Sequence, residues 1–523
     1  MLLIAFAVFG VTAFLGKGSG KKAKLADARW ATRSEQRRAD RRALRQIKNR
    51  EPAKVSLSIG LPGQNKSQHF PDVQRGVAVL GAPGSGKTYS VITPLMVSAL
   101  LQGFPIILYD YKYPGQTADL APLAKHLGYD VHIFAPGYPE SSTCNLLDFM
   151  ASDTDMAMGR QIAHVLYRNA AGSSGSLHNS DSFFTNAGEQ IIVAALSLAK
   201  GSPYPDLASA QAILRLPGLT ERLHTALLPL WNRLNFDQLL AVADSERTVA
   251  SILGTAAGYF TRFMDPNLLN AFIGASTLPL VLSERQLIVI GMDRERRDAV
   301  GPLIASVLHM LVAKNTTASR ATPLIVGLDE LPTLYLPSLA KWINECRDQG
   351  LCLILGAQNL AQMENTYGSQ MSRAIFGACA TKALFNPGEP ASAQTFSDLL
   401  GEEEITFKTQ SKSQSQGKAT ISRSVQRRIR KLFAPSDFLR LPPGQAVFLS
   451  PGYGNTQNGS LPARIAIRVP LNIIRLTDKS RIAWKRLRSL LIERQRQPPL
   501  DAAELETRMR HAETLLPSPD STV

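Results

Sequence analysis

The sequence predicts an α/β protein in which a mostly parallel sheet carries helices on both faces and is split by an all-α insertion. Short β-rich apolar runs recur along the chain. Their apolarity is continuous rather than alternating, which is typical of parallel strands that are buried on both faces. No such run occurs between about residues 149 and 282, where the pattern is helical. A glycine-rich loop follows the first run and precedes a helix over 87–102.

Each apolar run predicts one strand of the sheet, and turn or helix signals separate the runs. A helix is predicted over 251–264 in the insertion, ended by Pro266, and another over 501–516. Residues 408–426, rich in Ser, Gln and Lys, predict an exposed loop. The runs are GVAVL (76–80), PIILYD (105–110), DVHIFA (130–135), QLIVIGM (286–292), PLIVGLDE (323–330), LCLILGAQ (351–358), CATKALF (379–385) and QAVFLS (445–450).

The first residues predict a membrane anchor. Leu2 to Leu15 form an uncharged stretch that as a helix covers about 21 Å, short of a bilayer core of about 30 Å. A cleaved signal peptide is the alternative, but no charge precedes the run and no cleavage site is clear. Basic residues follow the run, so the rest of the chain is expected in the cytoplasm, at the inner face of the plasma membrane.

These patterns divide the chain into six predicted segments. They are an anchor (1–16), a basic juxtamembrane linker (17–60), the first part of the core (61–148), the all-α insertion (149–282), the second part of the core (283–470) and a helical tail (471–523).

Charge is distributed unevenly along the chain. Residues 17–50, 408–431 and 481–496 carry net charges of +10, +8 and +5, so the remainder has a net charge of −7 although the whole chain is +16. Basic segments on an acidic body indicate anionic partners, with solvated linkers as the alternative. Because aromatic residues are not interleaved with these cations, we expect DNA binding that is independent of sequence, with 408–431 as the main contact.

The four cysteines form no C-x-x-C pair, which favours buried thiols in a reducing compartment.

The glycine-rich loop has the spacing of a phosphate-binding loop, G-x-x-x-x-G-K-[ST]. Its strand before and helix after are the context that this motif requires. Lys87 is expected to reach the β and γ phosphates of ATP, and Thr88 to bind Mg²⁺ through its hydroxyl. The predicted nucleotide ligands are Gly81, Ala82, Pro83, Gly84, Ser85, Gly86, Lys87 and Thr88.

Polar residues at the ends of later strands predict the rest of the site, because ligands bind at the carboxyl ends of parallel strands. Asp329 is expected in the Mg²⁺ shell and Glu330 to orient the attacking water, although Asp329 could instead cap a helix. Gln358 could touch the γ-phosphate or be a turn residue. Asp110, with Lys112 nearby, could lie beside the site or form a capped turn. Arg347 is a candidate for charge stabilisation from a neighbouring subunit, with a plain surface arginine as the alternative.

The ordered set of motifs resembles the type IV secretion coupling proteins, the TraG/TraD conjugative DNA-transfer ATPases. The set runs from DARWAT (27–32) through the phosphate loop, DYKYPG, LDE, ECRDQG and GAQNLAQMENTYG to RKLFAPSDFLRLPPGQA (430–446). The resemblance implies a membrane-anchored, RecA-like motor that forms homo-hexameric rings with ATP between subunits. It implies partners as well: single- or double-stranded DNA, a relaxase or effector protein, and components of a secretion channel.

The same resemblance matches Lys87 and Thr88 to nucleotide ligands, and Asp329 and Glu330 to the acid pair. It matches Gln358 to the glutamine after the next strand and Arg347 to the arginine finger. Two features depart from the family. One short apolar stretch stands where two membrane spans are usual, and Tyr111 stands where proline is usual.

Two other functions remain open from the sequence. One is a related DNA or protein translocase, such as a septal DNA pump or a channel-assembly ATPase. The other is a membrane scaffold that binds nucleotide without hydrolysing it, which would need neither Glu330 nor Arg347.

Overall fold

The predicted anchor over 1–16 lies outside the described part of the chain. Within the described part, no helix is both long and apolar enough to cross a bilayer. The computed structural model describes residues 26–51, 54–62, 64, 67–170, 182–261, 263–415, 418–454, 459–495 and 501–519.

A twisted β-sheet forms the centre of the molecule, and every predicted apolar run lies in one of its strands. In the described residues the sheet has nine strands, in the order β13-β12-β9-β3-β8-β7-β4-β6-β5. The seven from β9 to β5 are parallel, and β12 and β13 add an antiparallel edge. The strands are β1 (Leu57–Ile59), β2 (Gln68–Phe70), β3 (Val77–Leu80), β4 (Ile106–Asp110), β5 (Asp130–Phe134), β6 (Gln286–Gly291), β7 (Leu324–Leu328), β8 (Leu351–Ala357), β9 (Thr381–Leu384), β10 (Glu402–Ser415), β11 (Lys418–Lys431), β12 (Gln445–Ser450) and β13 (Leu461–Ala466).

Helices cover the sheet and fill the interval between β5 and β6. The helix predicted over 87–102 is a π-helical turn, Thr88–Ile92, that continues into α2. The helices are α1 (Arg33–Asn49), α2 (Thr93–Leu101), α3 (Gly115–His126), α4 (Met156–Ala170), α5 (Ser182–Lys200), α6 (Leu207–Leu214), α7 (Leu219–Thr225), α8 (Leu230–Leu234), α9 (Asp237–Leu240), α10 (Glu246–Thr261), α11 (Pro266–Leu269), α12 (Arg297–Asn315), α13 (Leu339–Glu345), α14 (Leu360–Ala378), α15 (Pro390–Leu400), α16 (Pro435–Leu439), α17 (Leu471–Arg494) and α18 (Ala502–Leu515).

The insertion between β5 and β6 is helical, from α4 to α11, as predicted. Its core is continuous with that of the sheet, since Phe272 packs edge-on against Phe134 of β5 with ring centroids 5.5 Å apart. The role predicted for Pro266 is wrong. Helix α10 ends at Thr261, and Pro266 starts α11, whose first turn is capped by the Asp265 side chain.

The segment 408–426 is not a loop, contrary to the prediction. Strands β10 and β11 pair along their whole length as an antiparallel hairpin. Cross-strand ion pairs hold the end of the hairpin nearest the body, because Glu403 pairs with Arg430 directly opposite and Glu404 pairs diagonally with Arg427. Lys431 also contacts Asp398 of α15 at 2.9 Å.

The segment predicted as a linker over 17–60 contains helix α1 in its described part. Thr32 and Glu35 form a capping box at the start of α1, and Arg29 pairs with Glu35 at 2.8 Å. Trp30 packs edge-on against Phe433, with ring centroids 5.8 Å apart. The DARWAT motif therefore fastens α1 to the segment that follows the hairpin.

The tail packs against the body through its basic side chains. Arg481 of α17 pairs with Asp119 of α3 at 2.7 Å, and Arg488 with Glu140 at 2.8 Å. Arg494 pairs with Asp130 at 3.0 Å. Half of the six cations in 481–496 are thus occupied within the chain, which weakens the expectation that this segment binds DNA. Helix α18 reaches the insertion, where Arg508 and Asp206 form a buried ion pair.

Candidate active site

The phosphate-binding loop follows β3 at the carboxyl edge of the sheet, as the motif predicts. Gly84 and Gly86 have φ angles of +79° and +94°, a region that side chains rarely adopt. A Cβ on Gly81 would lie 2.6 Å from Cβ of Phe385. Among the hydrogen bonds of the described chain, none uses the N–H of Gly84, Gly86 or Lys87 as donor. These backbone groups remain free for an anion.

Two pairs of side chains join this loop to the end of β7. The Thr88 hydroxyl donates to Oδ2 of Asp329 at 2.7 Å. The Lys87 ammonium lies 3.4 Å from Oε2 of Glu330, and both side chains are about nine-tenths buried. The order of the strands explains this meeting, because only β8 separates β3 from β7.

Glu330 is held in a strained position. Its φ is +64°, in the left-handed region that a non-glycine residue rarely occupies. Its Oε1 accepts a hydrogen bond from Nε2 of Gln358 at 2.6 Å. Gln358 in turn accepts from Gln362 of α14 at 3.0 Å. The carboxylate is therefore fixed from both sides, by Lys87 and by Gln358.

Asp110 forms a capped turn, and its side chain is not one of those that join the phosphate-binding loop to the end of β7. Its buried carboxylate accepts from the backbone N–H and the hydroxyl of Thr117, at 2.9 and 2.8 Å, and from the N–H of Lys112 at 3.2 Å. Burial raises the pKa of this carboxyl, and these hydrogen bonds lower it in part. Lys112 is exposed. The turn places Gln116 against Asp329, where its Nε2 donates to Oδ2 of the carboxylate.

Burial also raises the pKa of Asp329, and the hydrogen bond from Thr88 and the charge of Lys87 oppose that rise. Its second oxygen, Oδ1, is buried without a hydrogen-bond partner, as is Oε1 of Gln116. The Ser85 hydroxyl in the loop is in the same condition. Buried polar atoms of this kind are normally satisfied, so these three are available to hydrogen-bond a polar ligand.

The donors and acceptors present fit a nucleotide with Mg²⁺. The free N–H groups and Lys87 suit phosphate oxygens, and the oxygens of Thr88, Asp329 and Gln116 are the hard ligands and water acceptors that Mg²⁺ prefers.

Arg347 does not belong to the site of its own chain. It lies in the turn between α13 and β8, at the amino end of the strand whose carboxyl end leads to Gln358. The seven residues of β8 span about 20 Å, so the side chain is at the opposite edge of the sheet. It is half exposed and lies 3.6 Å from Asp348.

Sequence reasoning missed Gln116 and Gln362. Gln362 stands four residues after Gln358 at the start of a helix, which was a usable signal. Gln116 directly follows the turn that ends β4. Its contact depends on β4 lying beside β7, which no local pattern reveals.

Comparison with known proteins supports the resemblance to coupling proteins. Residues 323–443 match the family model described as the TraM recognition site of TraD and TraG. Coupling protein TraD of Escherichia coli (strain K12) is 36% identical over 77 residues, which is 14% of this chain and 11% of TraD. The match thus spans about a tenth of the length of that curated relative.

Two solved structures have a similar fold along most of the chain. Bacterial conjugative coupling protein TrwBdeltaN70, in an unbound form, is 15% identical and has a TM-score of 0.57. The match covers 86% of this chain and 95% of the TrwBdeltaN70 chain. Plasmid coupling protein TrwB in complex with the non-hydrolysable ATP analogue ADPNP is 16% identical and has a TM-score of 0.58. The match covers 87% of this chain and 96% of the TrwB chain. The α/β fold predicted from the sequence is confirmed by these likenesses.

Proposed function

We propose that this chain is an ATP-hydrolysing motor of the type IV secretion coupling class, which delivers DNA, a relaxase–DNA complex or an effector protein to a secretion channel. One observation carries the proposal: Lys87, Thr88, Asp329, Glu330 and Gln358 form a single contact set at the carboxyl ends of three adjacent strands. A scaffold that never hydrolyses nucleotide would not need Glu330 fixed in a strained backbone beside the phosphate loop.

ATP and Mg²⁺ are the proposed cofactors, as in TrwB, which has been solved in complex with ADP and Mg²⁺. The phosphate loop would hold the phosphates, and Thr88 and Asp329 the metal, which would neutralise charge on the β and γ phosphates. Lys87 contacts Glu330 at 3.4 Å. A γ-phosphate would draw Lys87 away and leave Glu330, still held by Gln358, to orient the attacking water.

The active unit we propose is a homo-hexameric ring. Because Arg347 is exposed and lies far from the site of its own chain, it can act only at the site of a neighbouring copy. Residues 1–16, followed by cations, support a proposed anchor in the inner membrane with the rest of the chain cytoplasmic. The TraM-type partner named by the matched family is a further candidate, at residues 323–443.

The experiment that tests this function is steady-state ATP hydrolysis by the purified protein, measured with and without single-stranded DNA. A coupling motor hydrolyses ATP and is stimulated by its DNA substrate. A scaffold binds ATP and shows no turnover in either condition. Hydrolysis that DNA never changes would favour a protein translocase or a channel-assembly ATPase instead.

DNA contact is proposed for the β10–β11 hairpin. Near the body Arg427, Arg430 and Lys431 are occupied by acidic partners, so they are poor candidates. The part of the hairpin farther from the body carries cations without any acidic residue in its sequence. These cations are Lys408, Lys412, Lys418 and Arg423.

Replacing those four cations with serine is expected to weaken DNA binding and to flatten the dependence of log K on log salt by about 0.7 to 0.9 for each phosphate that the hairpin no longer neutralises. DNA-free ATP hydrolysis should stay unchanged, since the hairpin supplies none of the side chains in the contact set of Lys87, Thr88, Asp329, Glu330 and Gln358. Fluorescence anisotropy of a labelled oligonucleotide over a salt series measures both the affinity and its salt dependence.

The matched control removes the same charge from exposed positions of α17, with serine at Arg475, Lys479, Lys485 and Arg486. If the control and the hairpin variant lose equal affinity, the effect is one of net charge. If the hairpin variant keeps the wild-type affinity and slope, the hairpin is not the DNA contact.

A further inference from the structure

Gln116 connects the turn after β4 to the acid pair after β7. Its side chain is buried, with 8% exposed, and Nε2 donates to Oδ2 of Asp329. The Thr88 hydroxyl donates to the same oxygen. Oδ2 is thus saturated by two donors that come from different segments of the chain, which leaves Oδ1 as the oxygen that Asp329 can offer to a ligand.

The position of Gln116 is set by the backbone around it. Asp110 accepts hydrogen bonds from the N–H and hydroxyl of Thr117, the next residue, and so fixes the first turn of α3. Gly356 on β8 allows the Asp329 side chain, which accepts from Gln116, to lie close to the strand, since a Cβ there would be 2.7 Å from Oδ1 of Asp329. Gln116 is therefore held in place before any ligand arrives.

The amide of Gln116 has one unused atom, on the same group whose Nε2 contacts Asp329. Its Oε1 is buried without a hydrogen-bond partner, and so is Oδ1 of Asp329. These two unsatisfied oxygens belong to the side chains that meet the Thr88 hydroxyl at Oδ2 of Asp329, and both can accept a hydrogen bond. Hydrated Mg²⁺ suits such acceptors, because it keeps several of its waters and presents them as hydrogen-bond donors.

We propose that Gln116 is a positioning residue for the Mg²⁺ of the bound nucleotide. Its NH₂ group orients Asp329, and its carbonyl oxygen accepts a hydrogen bond from a water of the metal's hydration shell. An amide can do both at once, whereas a carboxylate here would face the Asp329 carboxylate with a second negative charge. The inference rests on the proposed function, in that it requires the site to bind a magnesium–nucleotide complex.

The test measures binding of a fluorescent ADP analogue to the full chain at increasing free Mg²⁺, and separately in EDTA. For Gln116→Leu we expect the Mg²⁺ concentration at half-maximal enhancement to rise about 10- to 100-fold, as for other residues that support metal ligands. Affinity in EDTA should match the wild type, because phosphate contacts are untouched. The same change at Gln211, a buried glutamine of α6 in the insertion, is the control and should leave both values unchanged.

A second variant guards against misfolding. Gln116→Glu keeps the shape of the side chain and adds a charge beside Asp329, so its melting temperature should fall in EDTA and recover when Mg²⁺ and ADP are added. Because a bound ligand raises the melting temperature of any chain that binds it, the rise is compared with that of the wild type: it should be larger for Gln116→Glu, and an equal rise would indicate a purely structural glutamine. A wild-type Mg²⁺ dependence in both variants overturns this inference alone, while a wild-type chain that binds no nucleotide overturns the proposed function with it.

Discussion

Replacing Glu330 with glutamine is expected to abolish most ATP turnover and to leave ATP binding in place. The change removes the carboxylate that orients and polarises the attacking water, a contribution of about 10²- to 10⁴-fold in rate. It leaves the phosphate loop intact, and glutamine has nearly the shape of the side chain that contacts Gln358. The measurement pairs steady-state hydrolysis with the dissociation constant of a fluorescent ATP analogue.

Lys87→Ala is the counterpart of that variant. It removes the ammonium that reaches the phosphates, so binding itself should weaken by about 10- to 100-fold, the worth of one hydrogen bond to a charged group. The two variants therefore separate binding from chemistry. If Glu330→Gln hydrolysed ATP at the wild-type rate, the assignment of Glu330 would be wrong.

Loss of Arg347 should reduce turnover by about 10³-fold or more while ATP affinity changes little. Arg347 lies at the opposite end of the strands from the phosphate loop, so the proposed role requires it to act on the site of another copy. Mixing Arg347→Ala subunits with Lys87→Ala subunits should then restore part of the activity, since some interfaces combine an intact loop with an intact arginine.

Lys341→Ala is the control for the arginine variant, because Lys341 is an exposed cation on α13, the preceding helix. It should hydrolyse ATP as the wild type does. Rings shown to contain both mutant chains, yet inactive at every mixing ratio, would argue against a role across the interface.

The central sheet was predictable because its strands are buried on both faces and read as continuous apolar runs. The β10–β11 hairpin was not, since its sequence is polar and has no continuous apolar run to reveal it. Its pairing depends on contacts such as Glu403 with Arg430, which only the folded register brings together. Strand β13 was not predicted for a related reason: it is an edge strand whose second half is mostly exposed, so its sequence has no continuous apolar run.

The candidate site divides in the same way. Lys87 and Thr88 belong to a contiguous motif, and Asp329 and Glu330 follow a buried strand, so local sequence was enough to find them. Gln116 was missed because its importance comes from the neighbouring strand β7, which is distant in sequence. Arg347 was named from the sequence as well, but the role proposed for it depends on a second copy of the chain, so one chain does not test it.

We propose that ATP hydrolysis moves the bound substrate. A protein that does so should displace streptavidin from the end of a biotinylated DNA strand. The account predicts displacement by the wild-type protein with ATP, on single-stranded or duplex DNA. It predicts no displacement with a non-hydrolysable analogue, and none with Glu330→Gln. If the protein hydrolyses ATP in response to DNA but displaces streptavidin from neither single-stranded nor duplex DNA, then hydrolysis does not move the bound DNA.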